Sequence, residues 1–170
     1  VSETPTLTAP GIVLRPLLLS DAPALFGALG DAEVQLYRRA AAHGDEAETR
    51  RYIEDTLARA RAAWAITEDG GEALGRLALR IPEPSGGEFG IVIRRAAQGR
   101  GLGRKALALA EAYAFGELGL TQLAADIDAE NQASLALFRR AGFTGESFRP
   151  GYRTTKLGVR DSMLLTKRRP

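Results

Sequence analysis

The sequence predicts an α/β (α+β) domain, with a central, mostly antiparallel mixed sheet of about seven strands and helices on both faces. Three observations lead there. Apolar spacing alternates along the chain between the two-residue period of strands and the 3.6-residue period of helices. Glu68-Asp69-Gly70-Gly71 separates two β-type runs as a hairpin turn, which makes those strands antiparallel. The 170 residues, 45% apolar and 26% charged, suit one globular core. Residues 11–170 are expected to form it, behind a flexible N-terminal segment, 1–10.

Ile12-Val13-Leu14-Arg15 reads as the first strand, stopped by Pro16, which has no N–H for a central ladder. Ser20 or Asp21 can cap a helix that tolerates Pro23 in its first turn and runs to about Leu29. Asp31 to Tyr37 is expected as a further short helical turn. Glu46 to Ala63, with Tyr52, Ile53 and Leu57 on one side, is an amphipathic helix. Ala63 to Thr67 and Ala73 to Ile81 are the strands of the hairpin, and the Pro- and Gly-rich stretch Ile81 to Gly87 is a loop. Glu88 to Arg94 is a strand with Phe89, Ile91 and Ile93 on one face, and Trp64 alternates with Ile66 as core. Gly101 to Leu118 is helical, Leu123 to Ile127 a short strand, Asn131 to Ala141 a capped helix, and Phe143 to Phe148 and Val159 to Thr166 close the chain as strands.

Composition narrows the chemistry. Without cysteine there are no disulfides, thiolate metal sites or thiol nucleophile, and with His43 as the single histidine no metal is expected. Lys and Arg number 23 against 21 Asp and Glu, a net +2, so the chain is not read as a nucleic-acid binder, which needs a strong basic excess on one face. No apolar run approaches the roughly 20 residues of a membrane helix, so no membrane partner is expected. Val1 to Pro10 lacks the layout of a secretion signal, and a cytoplasmic location follows as the expectation.

The most informative stretch is Gln98-Gly99-Arg100-Gly101-Leu102-Gly103-Arg104-Lys105, between a predicted strand and a predicted helix. Closely spaced glycines let successive N–H groups turn toward an anion, and the helix start adds unpaired N–H groups and its dipole. Arg100, Arg104 and Lys105 add charge there, which suits a pyrophosphate. Neither established phosphate fingerprint fits. Arg104 stands where a Rossmann motif needs its third glycine, and Ala106 follows Lys105 where a P-loop needs a hydroxyl. The alternative is a turn that uses glycine for close packing and binds nothing.

Q-x-x-G-x-G before a helix resembles the acyl-CoA signature of the GNAT superfamily of N-acetyltransferases. Asn131-Gln132-Ala133-Ser134, Leu137-Phe138 and Ala141-Gly142-Phe143 are similar to that family's N-x-x-S…L-x-x-x-G-F block. Leu14-Arg15-Pro16-Leu17 with Ser20-Asp21, and Gly158-Val159-Arg160-Asp161, extend the likeness toward the RimJ/RimL-like subgroup, which acetylates ribosomal proteins and small amines. The resemblance covers roughly Gly11 to Lys167.

It implies acetyl-CoA as co-substrate and direct transfer to a primary amine, either a protein N-terminus (ribosomal in the subgroup) or a small molecule, by a monomer or homodimer. The pantetheine arm would lie along Ile91, Val92 and Ile93, with backbone hydrogen bonds from Ile91 and Ile93. Gln98 to Lys105, Leu102 and Gly103 included, would hold the pyrophosphate. Asn131 would sit near the arm, with Phe138 packed against it. Glu88 is expected as the base, directly or through water. Many relatives carry tyrosine where this chain has Phe138, which cannot donate a proton. Ser134 is therefore expected at the leaving thiolate, with Tyr152 or water as alternatives and helix capping as its bland role. Asp126, Asp128, a solvated His43 and the basic end Lys167 to Pro170 are expected to be structural or surface features. Two other functions compete: a catalytically silent acyl-CoA-binding regulator, and a small RNA-binding domain.

Overall fold

A computed structural model describes residues 3–170. Eight strands form one sheet: β1 (Leu7–Ala9), β2 (Ile12–Pro16), β3 (Ala62–Thr67), β4 (Gly75–Glu83), β5 (Gly86–Ile93), β6 (Gln122–Asp128), β7 (Gly145–Thr155) and β8 (Gly158–Arg168). Their spatial order is β1-β2-β3-β4-β5-β6-β8-β7, antiparallel except for β5 beside β6. A parallel pair needs a long crossover, which here is α3 (Leu102–Gly116). The other helices are α1 (Ala22–Leu29), α2 (Glu46–Arg59) and α4 (Gln132–Arg140). No helix among the described residues is long and apolar enough to cross a membrane.

The sheet divides two apolar clusters. Trp64 and Ile66 of β3 join Leu77, Leu79, Phe89, Leu107, Leu123, Phe138 and Phe143 on the side covered by α3 and α4. Ala63 and Ala65 of the same strand face the other way, with Leu25, Leu29, Ile53 and Val92 under α1 and α2. All six residues of β3 are therefore buried, as a strand covered on both faces requires. Trp64 is core, as expected; its Nε1 donates to the Pro5 carbonyl at 2.7 Å.

Several boundaries differ from the sequence reading, each for a local reason. Leu7–Ala9 pairs with Ile12–Leu14 and adds an eighth strand within the segment expected to be flexible. Asp31 to Tyr37 forms turns that do not extend into a helix: the Asp31 carboxylate caps the Glu33 and Val34 N–H groups and Gln35 N–H bonds the Asp31 carbonyl at 2.9 Å, but the bonds that follow, Leu36 to Glu33 and Arg38 to Gln35, span only three residues. α2 stops at Arg59, since Ala62 and Ala63 pair in the sheet with Leu79 and Ala78. The stretch expected as a loop is mostly strand, with a register shift between Arg80 and Glu83 accommodating Pro82. The last two strands are longer than expected, 11 residues each.

The Leu14-to-Asp21 motif has a structural explanation. Arg15 donates to both carboxylate oxygens of Asp21, at 2.9 and 2.6 Å, while Asp21 also accepts from the Leu18 N–H. The pair ties β2 to the start of α1.

Candidate functional site

The parallel strands β5 and β6 pair only over Gly86–Glu88 and Gln122–Ala124, and then separate. The Arg94 backbone N–H donates to the Leu74 carbonyl at 2.8 Å, which fixes the alternation along β5. Ile91 and Ile93 consequently turn their N–H and C=O groups away from β4 and into the gap. Val92 does the opposite: its backbone groups face Arg76 on β4, and its side chain lies in the α1/α2 core. The gap thus offers a strand edge to an extended ligand at Ile91 and Ile93, but not at Val92. One acceptor on it is occupied, because Gln98 Nε2 donates to the Ile93 carbonyl at 3.0 Å.

That edge runs into the glycine loop. Gly99 and Gly101 have φ of 74° and 77°, and a Cβ at either would meet nothing within 4 Å. These glycines supply left-handed backbone, not close packing. Gly101 caps α3 without a side-chain bond, so the first N–H groups of that helix, at Leu102, Gly103 and Arg104, have no intrahelical acceptor. Gly103 serves differently: its Cβ would lie 3.2–3.3 Å from Leu137 and Ile93, so its absence lets α3 close on α4 and β5. Leu102 is core.

Of the three cations, Arg100 pairs with Glu68, and Lys105 Nζ donates to the Pro10 carbonyl at 3.1 Å. Arg104 is exposed, with no partner among the described residues. The loop can therefore receive an anion with backbone N–H groups and one free guanidinium.

At the head of α4, Asn131 Oδ1 accepts from the Ser134 N–H at 3.2 Å, an ordinary helix cap. Ser134 is half-buried. Phe138 is only 2% exposed and stands edge-on to Phe143 at 5.1 Å, inside the core.

The α1/α2 side of β5 presents Glu88, Gly90 and Val92 in succession. Glu88 is the third residue of the strand, and its Oε1 accepts from Arg80 at 2.5 Å. It borders a groove of about 220 Å³ with Gly86, Gln122, Ala124, Arg149 and Leu164. The groove lies over the paired segment of β5 and β6, beside the β4–β5 turn, and Glu88 stands at its end next to the gap.

Asp126 and Asp128 share this face. Asp128 is 2% exposed and accepts from Arg160 at both oxygens, each at 3.0 Å, and Arg160 also reaches Glu130 at 2.8 Å. These bonds raise the Arg160 proton affinity and hold the Asp128 carboxyl below its ordinary range. Asp126 lies 3.5 Å from Arg153.

His43 and Lys167 sit elsewhere than expected. His43 is 9% exposed, not solvated: Nδ1 lies 2.9 Å from Thr49 Oγ1, and burial lowers its proton affinity. Lys167 is not part of a frayed end, since it lies in β8, bonded to Glu111 and to the Ala141 carbonyl. Tyr152 is 53% exposed on the β7–β8 hairpin, where Arg149 stacks on it.

One group escaped the sequence reading. Arg76, the second residue of β4, is 5% exposed; it donates to the Gly90 carbonyl at 3.0 Å and to the Tyr52 hydroxyl, which also accepts from Arg38 at 2.9 Å. The two guanidiniums hold the Tyr52 phenol below its usual pKa despite its burial. The signal was present: Arg76 interrupts the apolar run Ala73 to Leu79 of a strand buried on both faces.

Comparison with known proteins agrees with this architecture. A family model described as an acetyltransferase (GNAT) domain matches residues 12–144. Mycothiol acetyltransferase of Amycolatopsis mediterranei (strain U-32) is 35% identical over 107 residues, 54% of this chain and 35% of that protein. The chain spans only about a third of the length of that curated relative. An acetyltransferase (GNAT family) from Bacillus anthracis superposes with a TM-score of 0.88 at 17% identity, covering 96% of this chain and 98% of that one. The Salmonella typhimurium acetyltransferase that modifies the N-terminal serine of the 50S ribosomal subunit protein L7/L12 gives 0.85 at 19% identity, covering 98% and 100%. The last two likenesses are of fold.

Proposed function

The chain belongs to the GNAT acetyltransferases, and from that premise we propose that it transfers the acetyl group of acetyl-CoA to a primary amine by direct attack on the thioester. The observation that carries this reading is the parallel gap between β5 and β6, with the backbone of Ile91 and Ile93 turned into it, leading to the Gly99/Gly101 loop at the head of α3. An extended arm can add to the first and a pyrophosphate can rest on the second. No covalent enzyme intermediate is needed, which suits a chain without cysteine.

In this scheme the amine nitrogen attacks the thioester carbonyl carbon. The tetrahedral adduct then collapses by breaking the carbon–sulfur bond, and the thiolate leaves and takes up a proton. Glu88 accepts the proton the amine loses, directly or through a water in the adjoining groove, and its bond to Arg80 fixes the carboxylate there. Ser134 is the hydroxyl offered to the thiolate, with water as the substitute, because Phe138 has no proton to give. Gln98 to Lys105 hold the phosphates, chiefly through the amides around Gly99 to Gly103 and the Arg104 guanidinium. Asn131 orients the start of α4.

The acceptor is a small amine or a protein N-terminus, and the RimJ/RimL-like motifs together with the relatives' substrates support both. A thiol-release assay with acetyl-CoA and a panel of amino acids, polyamines, aminoglycosides and peptide N-termini tests the reading. Acetyl-CoA binding without thiol release on any amine would replace it with the silent regulatory module.

A further inference from the structure

Arg76 is a charged group almost wholly removed from water, yet no carboxylate meets it. Its charged neighbours are Arg38 and Arg80, both cations, and the Tyr52 hydroxyl is its side-chain acceptor. Burying a guanidinium without a counter-charge is costly, and such groups are ordinarily paired. The contrast with the rest of this face is sharp. Arg15 has Asp21, Arg153 has Asp126, Arg160 has Asp128 and Glu130, and Arg80 has Glu88.

Two details point outward from Arg76. Its Nε is buried without any partner, and of the five N–H groups of a guanidinium only two are engaged in hydrogen bonds. The residue that covers it on β5 is Gly90, an exposed position with no side chain to close the view; a Cβ there would sit 3.4 Å from Arg76 Nη1. Gly90 lies two residues from Glu88 on the same face, about 7 Å along the strand. A base for an ammonium and an uncompensated guanidinium therefore lie within one small acceptor's length of each other.

We propose that the acceptor amine carries a carboxylate, received by Arg76 beside Gly90, with Tyr52 and Arg38 holding the guanidinium in place. This inference rests on the transferase reading above and names the substrate class for the same site. It disfavours polyamines, which would bring a second cation toward Arg76 and Arg38. The phenol serves as a stand-in acceptor for Arg76 when no carboxylate is bound. Its lowered pKa agrees with that role.

The test compares matched acceptors by thiol release: glycine against glycinamide, β-alanine against β-alaninamide, and 2-aminoethylphosphonate to separate phosphoryl from carboxyl recognition, each corrected for its fraction of free amine. A charge-assisted pair predicts kcat/KM about 10- to 100-fold higher for the acids than for the amides, mainly through KM. Arg76→Lys should keep part of that preference and Arg76→Gln should abolish it. Tyr52→Phe keeps the Arg76 charge but removes the hydroxyl that holds and competes for it, and should retain a preference for acids over amides; loss of all preference in folded Tyr52→Phe would count against Arg76 as the carboxylate's partner.

Calorimetric titration with N-acetyl-β-alanine, a product-like carboxylate without an amine, provides a readout that needs no turnover. Binding by the wild type and its loss in Arg76→Gln, at unchanged acetyl-CoA affinity, supports the proposal. Equal use of acids and amides by the wild type, or equal preference in a folded Arg76→Gln, overturns it. If no amine is acetylated at all, the transferase reading fails, and the titration alone decides: no binding of N-acetyl-β-alanine overturns the carboxylate site as well.

Discussion

Substituting Gly101 separates the two properties assigned to the glycine loop, its backbone shape and its affinity for an anion. Gly101→Asn and Gly101→Asp are nearly the same size, and both residue types visit the left-handed region at a cost of about 1 kcal/mol. The φ of 77° therefore penalises them alike, and the open space around the missing Cβ admits both. They differ by one charge. An Asp carboxylate beside amides that hold phosphate oxygens at about 3 Å stands about 5 Å from two pyrophosphate charges. At an effective dielectric near 40, between surface and bulk values, the repulsion is about 3 kcal/mol, or roughly 100-fold in Kd.

Calorimetric titration with CoA should give Gly101→Asn within about tenfold of wild type and Gly101→Asp about 100-fold weaker again. The gap between them should shrink as salt shortens the screening length from about 30 Å at 0.01 M to about 3 Å at 1 M. Equal affinities for the two variants, or a gap indifferent to salt, would refute the placement of the pyrophosphate on this loop.

Three further outcomes are expected. Glu88→Gln should lower kcat by about 100-fold or more while binding acetyl-CoA as wild type does; a wild-type kcat removes Glu88 as the base. Gly75→Ala should lower stability to urea by about 2 kcal/mol or more, because its Cβ would collide with the Val92 carbonyl oxygen and press on Ile93. That pressure falls on the strand edge assigned to the cofactor arm, so acetyl-CoA affinity should fall with it, and a wild-type urea midpoint would contradict the packing described. Burial lowers the folded-state pKa of His43 from its ordinary 6.5, so the unfolded chain binds the proton more readily. Its contribution to stability is complete above about pH 6.5 and is lost as pH falls below that value. Denaturation midpoints of His43→Gln should be flatter than wild type between pH 7 and 5, and parallel curves would show that His43 does not titrate in that way.

Much of this was legible in the residues themselves because its causes are local. Gly99 and Gly101 announce a positive-φ turn before α3, Asn131 announces the cap of α4, and the Glu68–Gly71 turn announces the β3–β4 hairpin. Each depends on a few consecutive residues. Local pattern failed where side chains or partners from elsewhere intervened. Leu7–Ala9 became a strand because β2 was there to pair with it, and α2 stopped at Arg59 because Ala62 and Ala63 pair with β4.

The sequence by itself therefore determined the order of elements, the phosphate-type loop and the family to which those motifs belong. Only the tertiary structure brings together the residues proposed for the acceptor side. Arg38, Tyr52, Arg76 and Gly90 come from a loop, a helix and two strands, and no periodicity links them. Arg76 also looks unremarkable until the sheet buries it, because an exposed guanidinium needs no counter-ion and a buried one does.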